Sequence, residues 1–523
     1  MISMNRIVSQ LGLMSMLAAM PIAAVDDISG TIHHLSTPRR VGQDNANFFQ
    51  DAFSQQLSEE MTGGGSKKIY LENLYKNAHD LLPLATTRNG LWLNEQGKIL
   101  YRVPKGVHCS CLYLFDVNRG KHLEIARYHN YKFDTLPPYR LNNKGDILYF
   151  EHSSLEDWNI YVKPLHNRRG LLLDAKKFEN IPNPNPIAFS EFLRHFGSEM
   201  EHSYFARVDF NDLGQALFSY GNPSHQAWLI DPNYATTQLW DLPYHVVGLN
   251  QSGDVFLHSA GGLGAVYHSS KRKLFPFDAP RTTHDHVIVN RLRSAVLPAD
   301  PSADPLMGWP HLYLAGDHVK ALESFEGHKV TLQGLNDRAQ AVGFGTLSLM
   351  GPTYKPNYMK GVFYNTADGV KELEDFGNRR SAVFGINNAG IMAGFAEGID
   401  GKIHAFLKTP KKLVNLGILF PDNSMALDIN DQGWVVGAHK DEKGLLQGFL
   451  YHSEKGVVNI AQGLNEHYTT SFNIPIGFNQ KGQVLGILFF IKEEKVYRLP
   501  FVFNPETGRA VHLPHYAPEE VKL

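Results

Sequence analysis

One short pattern returns along the chain and constrains its fold more than any other feature: an apolar residue followed by Asn-x-x-Gly. It stands complete at Leu93-Asn94 to Gly97, Leu141-Asn142 to Gly145, Phe210-Asn211 to Gly214, Leu249-Asn250 to Gly253, Ile386-Asn387 to Gly390, Ile429-Asn430 to Gly433 and Phe478-Asn479 to Gly482. Two altered copies fill the intervals, Val289-Asn290 with Arg293 and Leu335-Asn336 with Ala339 at the glycine position. With 35 Asn and 46 Gly in 523 residues, chance supplies only about three Asn-x-x-Gly pairs, and about one behind an apolar residue. From Asn94 to Asn479 the copies advance 385 residues in eight steps. The mean period is therefore about 48, within the range of propeller blades.

The chemistry of the pattern is that of a hairpin. Asn at the first position of a type I turn accepts from the backbone N–H two residues on, and Gly at the fourth takes the left-handed conformation that closes the turn with a bulge. An apolar strand follows, such as Ile147-Leu148-Tyr149-Phe150 or Trp434-Val435-Val436-Gly437. After a variable loop comes an aromatic-rich strand, such as Gln226-Ala227-Trp228-Leu229-Ile230 or Pro500-Phe501-Val502-Phe503. A second turn pattern closes it, at Asp116 to Gly120, Asn365 to Gly369 and Asn504 to Gly508. Each unit reads as four short antiparallel strands, A to D, which cannot bury both faces of its own sheet. Stacking units radially solves this, and the expectation is an all-β chain forming a single large β-propeller of eight or nine four-stranded blades.

Residues from about 330 to 505 resemble the bacterial HAF-repeat family of exported proteins. The resemblance is carried by His404-Ala405-Phe406, Leu416-Gly417, Gly385-Ile386-Asn387-Asn388-Ala389-Gly390 with Gly394, and Asp428-Ile429-Asn430-Asp431-Gln432-Gly433 with Gly437. Copies before 330 depart from it: Tyr101, Tyr149, Phe218 and Leu257 stand where Gly343, Gly394, Gly437 and Gly486 stand later. The resemblance implies export and a repeat fold, and brings no biochemical activity with it.

Outside the repeats, Met1 to Ala24 has one early Arg, an apolar stretch from Ile7 to Met20 and small residues before Asp26-Asp27, the order of a secretory signal. Residues 25–68 read as a linker with a short amphipathic helix marked by Phe49, Phe53, Leu57 and Met61, and 69–523 as the repeat domain. No later stretch approaches the roughly 20 apolar residues of a transmembrane span. The expected location is therefore periplasmic, cell-surface or secreted. The two cysteines, Cys109 and Cys111, are read as partly buried thiols, since bridging residues two apart on a strand would bend the backbone sharply. Charges nearly cancel, with 50 Lys+Arg against 52 Asp+Glu, which argues against a nucleic-acid partner.

In a four-strand unit the A–B and C–D turns share one end, and the B–C and D–A connections share the other. Every long insertion falls at the second end, which makes it the candidate binding face. There the sequence places Trp309 and the pair Tyr354 and Tyr358 in long B–C connections. A D–A insertion holds Phe196 within a helical pattern near 186–202. His284 and His286, spaced to reach one ion, lie in another D–A connection, but without a third ligand nearby they read as surface histidines and no metal site is assigned. Glu151 and Asp157, with Glu156, sit in the second unit's B–C loop and offer no more than a weak match to the carboxylate pair that glycoside chemistry needs. No cofactor motif and no catalytic set stands out. The leading expectation is an exported, non-catalytic propeller binding a protein or carbohydrate in the envelope or outside the cell. The alternative is an envelope hydrolase or lyase with a loop-built active site at the channel mouth.

Overall fold

A computed structural model describes residues 39–40 and, apart from several connections, 91–520. Its strands hydrogen-bond into nine antiparallel sheets, each built on four consecutive strands. The first sheet is Trp92–Leu93, Lys98–Pro104, Cys109–Asp116 and Lys121–His129, strands A to D in order. The ninth is Ser471–Phe478, Val484–Lys492, Lys495–Asn504 and Arg509–His512. Among the described residues helix is confined to one 3-10 turn, Gly417–Leu419. The architecture is an all-β propeller. The helical insertion expected near 186–202, the amphipathic stretch at 49–61 and the signal segment lie outside the described residues. Within the stretch read as a linker, Arg39–Arg40 forms a short strand beside Ser471–Phe478, so that backbone belongs to the ninth sheet.

The repeat folds as its chemistry dictates. In the first copy Asn94 Oδ1 accepts from Gln96 N (3.1 Å) and Lys98 N (2.9 Å), and Gly97 N donates to Asn94 O (3.0 Å). The closing glycines are left-handed, and Ala339 holds the same conformation at φ 56° without being glycine. Leu335-Asn336 is thus a true copy, kept at the cost of strain in its last residue.

The other half of the Asn side chain joins neighbouring sheets. Asn94 Nδ2 donates to Asn142 O (2.9 Å), Asn142 to Asn211 O, Asn211 to Asn250 O, Asn336 to Asn387 O, Asn387 to Asn430 O, and Asn430 to Asn479 O. Asn479 Nδ2 then donates to Asn94 O at 3.0 Å, joining the ninth sheet to the first across 385 residues of sequence. A second circuit runs beside this one. The backbone N–H of the residue after the Asn donates to the side chain at the same position in the next sheet, as in Glu95 to Asn143 Oδ1 (3.2 Å), Asn388 to Asp431 Oδ1 (2.7 Å) and Gln480 to Glu95 Oε2 (2.7 Å). The repeat asparagines of the first circuit are buried, so their bonds form where water cannot replace them.

Alternate residues of each strand pack against opposite neighbours. On the third strand of the first sheet, Cys111, Tyr113 and Phe115 join a cluster that includes Leu485, Ile487 and Phe489 of the ninth. Leu112 and Leu114 face the second sheet through Tyr139, Leu141 and Ile147. The later copies use a different fit from the earlier ones. Gly394, Gly437 and Gly486 on strand B are paired with Phe406, Phe449 and Phe501 on strand C. A Cβ on Gly437 would strike the Phe449 ring and Met425 O, and one on Gly394 would strike Ala382 O. In the earlier copies Tyr101 pairs with Tyr113 and Phe218 with Trp228, so bulk sits on both strands. The bulky Tyr101 and Phe218 in place of the later glycines are thus a change of packing within an unchanged hairpin scheme.

Candidate functional site

The two ends of the sheets differ in what they leave available. At the A–B turn end, the Asn side chains and the residues after them are spent on inter-sheet bonds. At the B–C and D–A end, the connections carry the sequence insertions. The best described part of that end lies over the seventh and eighth sheets. It is formed by the B–C turn 398–401, the D–A crossing 416–423 and the end of strand Val435–Lys440.

Both segments are hydrogen-bonded turns. Gly398 N donates to Lys402 O (2.8 Å), Gly401 N to Gly398 O (3.0 Å), and Lys402 N to Asp400 Oδ1 (3.0 Å), which fixes a tight turn with Ile399 at its tip. In the crossing, Leu416 N donates to Ala405 O (2.8 Å), Gly417 N to Asn415 Oδ1 (2.7 Å) and Phe420 N to Gly417 O (3.0 Å). Phe420 stacks on His439 with ring centroids 4.5 Å apart and packs on Phe449 at 4.6 Å. Burial holds the His439 imidazole below its ordinary pKa of 6.5. Lys402 Nζ reaches across to Pro421 O at 3.0 Å, tying the turn to the crossing.

His404 is part of this tie. His404 Nε2 lies 3.0 Å from Asp400 Oδ1, and its ring rests where a Cβ on Gly398 or Gly417 would stand. The hydrogen bond from His404 lowers the Asp400 carboxyl below its usual range. His404 and Gly417 are therefore a packing couple that seats the crossing on the turn. Its consequence is an apolar corner held open to solvent, where Ile399 is 90% exposed, Ile418 77% and Leu419 45%. The sequence signal was present in Gly-Ile-Asp-Gly and Gly-Ile-Leu-Phe, where apolar residues occupy turn positions that polar ones normally fill.

Of the residues singled out from sequence, Trp309, Tyr354, Tyr358, Phe196, His284 and His286 lie outside the described residues. Strand ends nevertheless fix which connections carry them: B–C after Ala295–Leu297 and Ala341–Leu347, and D–A before Phe205–Phe210 and Ile288–Val289. Glu151 and Asp157 do not sit in a loop. They belong to paired strands, Ile147–Ser154 and Asp157–Lys163, with Glu151 opposite Asn159 and Asp157 opposite Ser154. Backbone pairing carries the first strand through the polar run Glu151 to Ser154, past the point where the sequence suggested a loop. Cys109 and Cys111 are free thiols, the second buried. Among the described residues no group of three or more His, Cys, Asp or Glu is arranged to hold a metal, and no helix is long and apolar enough to cross a membrane.

No protein-family model matches the chain, and no curated protein matches it. Solved structures do. The β-propeller domain of the Trilobed protease from Pyrococcus furiosus is 10% identical with a TM-score of 0.31, covering 62% of this chain and 97% of that one. The acylaminoacyl peptidase of Pyrococcus horikoshii is 10% identical with a TM-score of 0.30, covering 66% of this chain and 56% of that one. TolB from Acinetobacter baumannii is 9% identical with a TM-score of 0.23, covering 61% and 79%.

Proposed function

We propose that this chain is an exported, non-catalytic binding propeller of the HAF-repeat kind, a single ring of nine blades that takes a protein or carbohydrate on its B–C and D–A face. The observation that carries the binding reading is the corner of Ile399, Ile418 and Leu419. Three large aliphatic side chains are held in water on hydrogen-bonded turns that could have placed polar residues there. Fully burying one such side chain is worth about 1.5–3 kcal/mol. Because the turns are already ordered, little of that gain is lost to ordering when a partner covers them. Nine sheets and the Asn479–Asn94 bond support the single ring. The signal-like order of residues 1–24 supports export.

The test is a pull-down from envelope extract with the full chain against the triple variant Ile399→Ser, Ile418→Ser, Leu419→Ser, alongside Leu123→Ser as a remote exposed control. The reading predicts a set of partners lost from the triple variant and kept by the control. Identical captures from all three chains would remove the corner from any binding site.

A further inference from the structure

In the first sheet all four strands come from one continuous stretch of chain, while the ninth, besides its own strands, takes Arg39–Arg40 beside Ser471–Phe478. The seam between these sheets is spanned by the residues that follow the last strand, in the place where another D–A connection would run. Leu513 is buried in the cluster shared by the two sheets. Pro514 O accepts from Tyr101 Oη of the first sheet at 2.9 Å. Tyr516 packs beside the same Tyr101, with centroids 6.5 Å apart. Beyond it, Glu519–Glu520 pairs with Tyr497 and Arg498, returning the chain to the ninth sheet.

Between these anchors His515, in a left-handed conformation with φ 64°, lays its ring on Tyr113 at 4.6 Å and 24°. His122 meets it edge-on at 4.5 Å. The groups around it are mostly cationic or able to become so. Lys105 Nζ stands 5.9 Å from the centre of the same Tyr113 ring, and His122 adds a second imidazole. A nearby carboxylate, Glu124, is already engaged. It accepts from Arg127 Nε (3.0 Å) and Nη2 (3.2 Å) and from Tyr113 Oη (3.1 Å). A positive charge on the His515 ring would therefore meet Lys105 and His122, offset only in part by Glu124.

We propose that residues 513–520 are a strap across the seam of the propeller, and that protonation of His515 loosens it. The sign follows from the surroundings. Desolvation, then His122 and Lys105, hold the docked His515 below its ordinary value of 6.5 against the opposing pull of Glu124, while a released strap frees the already exposed ring from these neighbours. Docking is then complete above about pH 6.5 and weakens as pH falls below it.

Hydrogen exchange of the full chain, corrected for intrinsic rate at each pH, tests this on the peptide covering 513–520. Between pH 7.5 and 5.5 its protection should fall by about threefold or more in the wild type, while the strand 435–440 keeps its own. His515→Phe keeps a ring on Tyr113 but takes no proton, so its protection should be flat across that range. His122→Asn leaves His515 in place and should make the fall shallower. A fall of equal size in His515→Phe, or none in the wild type, would overturn the proposal.

Discussion

Replacing Asn479 separates the two duties assigned to the repeat's asparagine. Its Oδ1 accepts from Lys481 N and Gln483 N, both at 3.1 Å, and these bonds shape the turn. Its Nδ2 donates to Gln483 Oε1 at 2.8 Å and to Asn94 O at 3.0 Å, and the second of these crosses from the ninth sheet to the first. The side chain is 1% exposed, so water does not replace what is removed. At about 1 kcal/mol net per bond, Asn479→Ala should cost about 4 kcal/mol. Asn479→Asp keeps both acceptor bonds and loses the donors, setting a carboxylate oxygen against Asn94 O and Gln483 Oε1. It should still cost about 2–3 kcal/mol, because the lost half is the half that joins sheets. The comparison is Asn365→Ala, in a solvent-facing C–D turn where Oδ1 accepts from Ala367 N and Asp368 N but nothing reaches another sheet. Its cost should be about 1 kcal/mol. Urea midpoints followed by tryptophan fluorescence give the ranking. Equal midpoints for Asn479→Ala and Asn365→Ala, or a wild-type midpoint for Asn479→Asp, would refute the assignment of Asn479 as an inter-sheet link.

Other outcomes follow from the same geometry. Ala339→Gly should raise the urea midpoint by about 1 kcal/mol equivalent, since it relieves a left-handed non-glycine residue at φ 56°. Gly437→Ala should cost about 1–3 kcal/mol, because the new methyl meets backbone at Met425 and cannot be accommodated by a rotamer change alone. His439 is held neutral by burial under Phe420, so its contribution is complete above its ordinary value of 6.5 and is lost as pH falls below it. The thermal midpoint should accordingly drop less on acidification in His439→Gln than in the wild type. The chain recovered from a periplasmic or culture fraction should begin at Val25, read by N-terminal sequencing.

What the sequence revealed was what lies within one hairpin. Asn94 to Gly97 states its own turn, because donor, acceptor and left-handed glycine all sit within four residues. The altered copy at Asn336 to Ala339 was legible for the same reason. The bond from Asn94 Nδ2 to Asn142 O was not, because its acceptor is 48 residues away. A trace of the second circuit was visible all the same. Glu95, Asn143, Asp212, Gln251, Asp337, Asn388, Asp431 and Gln480 differ in type but all carry a side-chain oxygen, which a search for identical residues passes over. His404 and Gly417 stood out as letters of a resemblance, while their contact depends on how the D–A crossing folds back over the B–C turn. The acidic residues near 151–157 misled for a simpler reason. The polar run from Glu151 to Ser154 suggested a loop, whereas its backbone pairs with Asp157–Lys163 and continues the strand. The seam was out of reach because it joins residues near 101–122 to residues near 513–516, which no local pattern connects.

The proposed ring closes between the ninth and first sheets and leaves its B–C and D–A face free to bind. Glu95 Oε2 accepts from Gln480 N at 2.7 Å across that closure, and Gln480 Oε1 accepts from Asp431 N at 3.0 Å across the ordinary junction before it. Oxidation of Glu95→Cys/Gln480→Cys, compared with Asp431→Cys/Gln480→Cys and the single variants, measures closure by the shift in gel mobility. A closed ring predicts that the 95/480 pair forms its disulfide as completely as the 431/480 pair. A chain in which 431/480 bridges and 95/480 does not would be an open stack, contradicting the closed propeller.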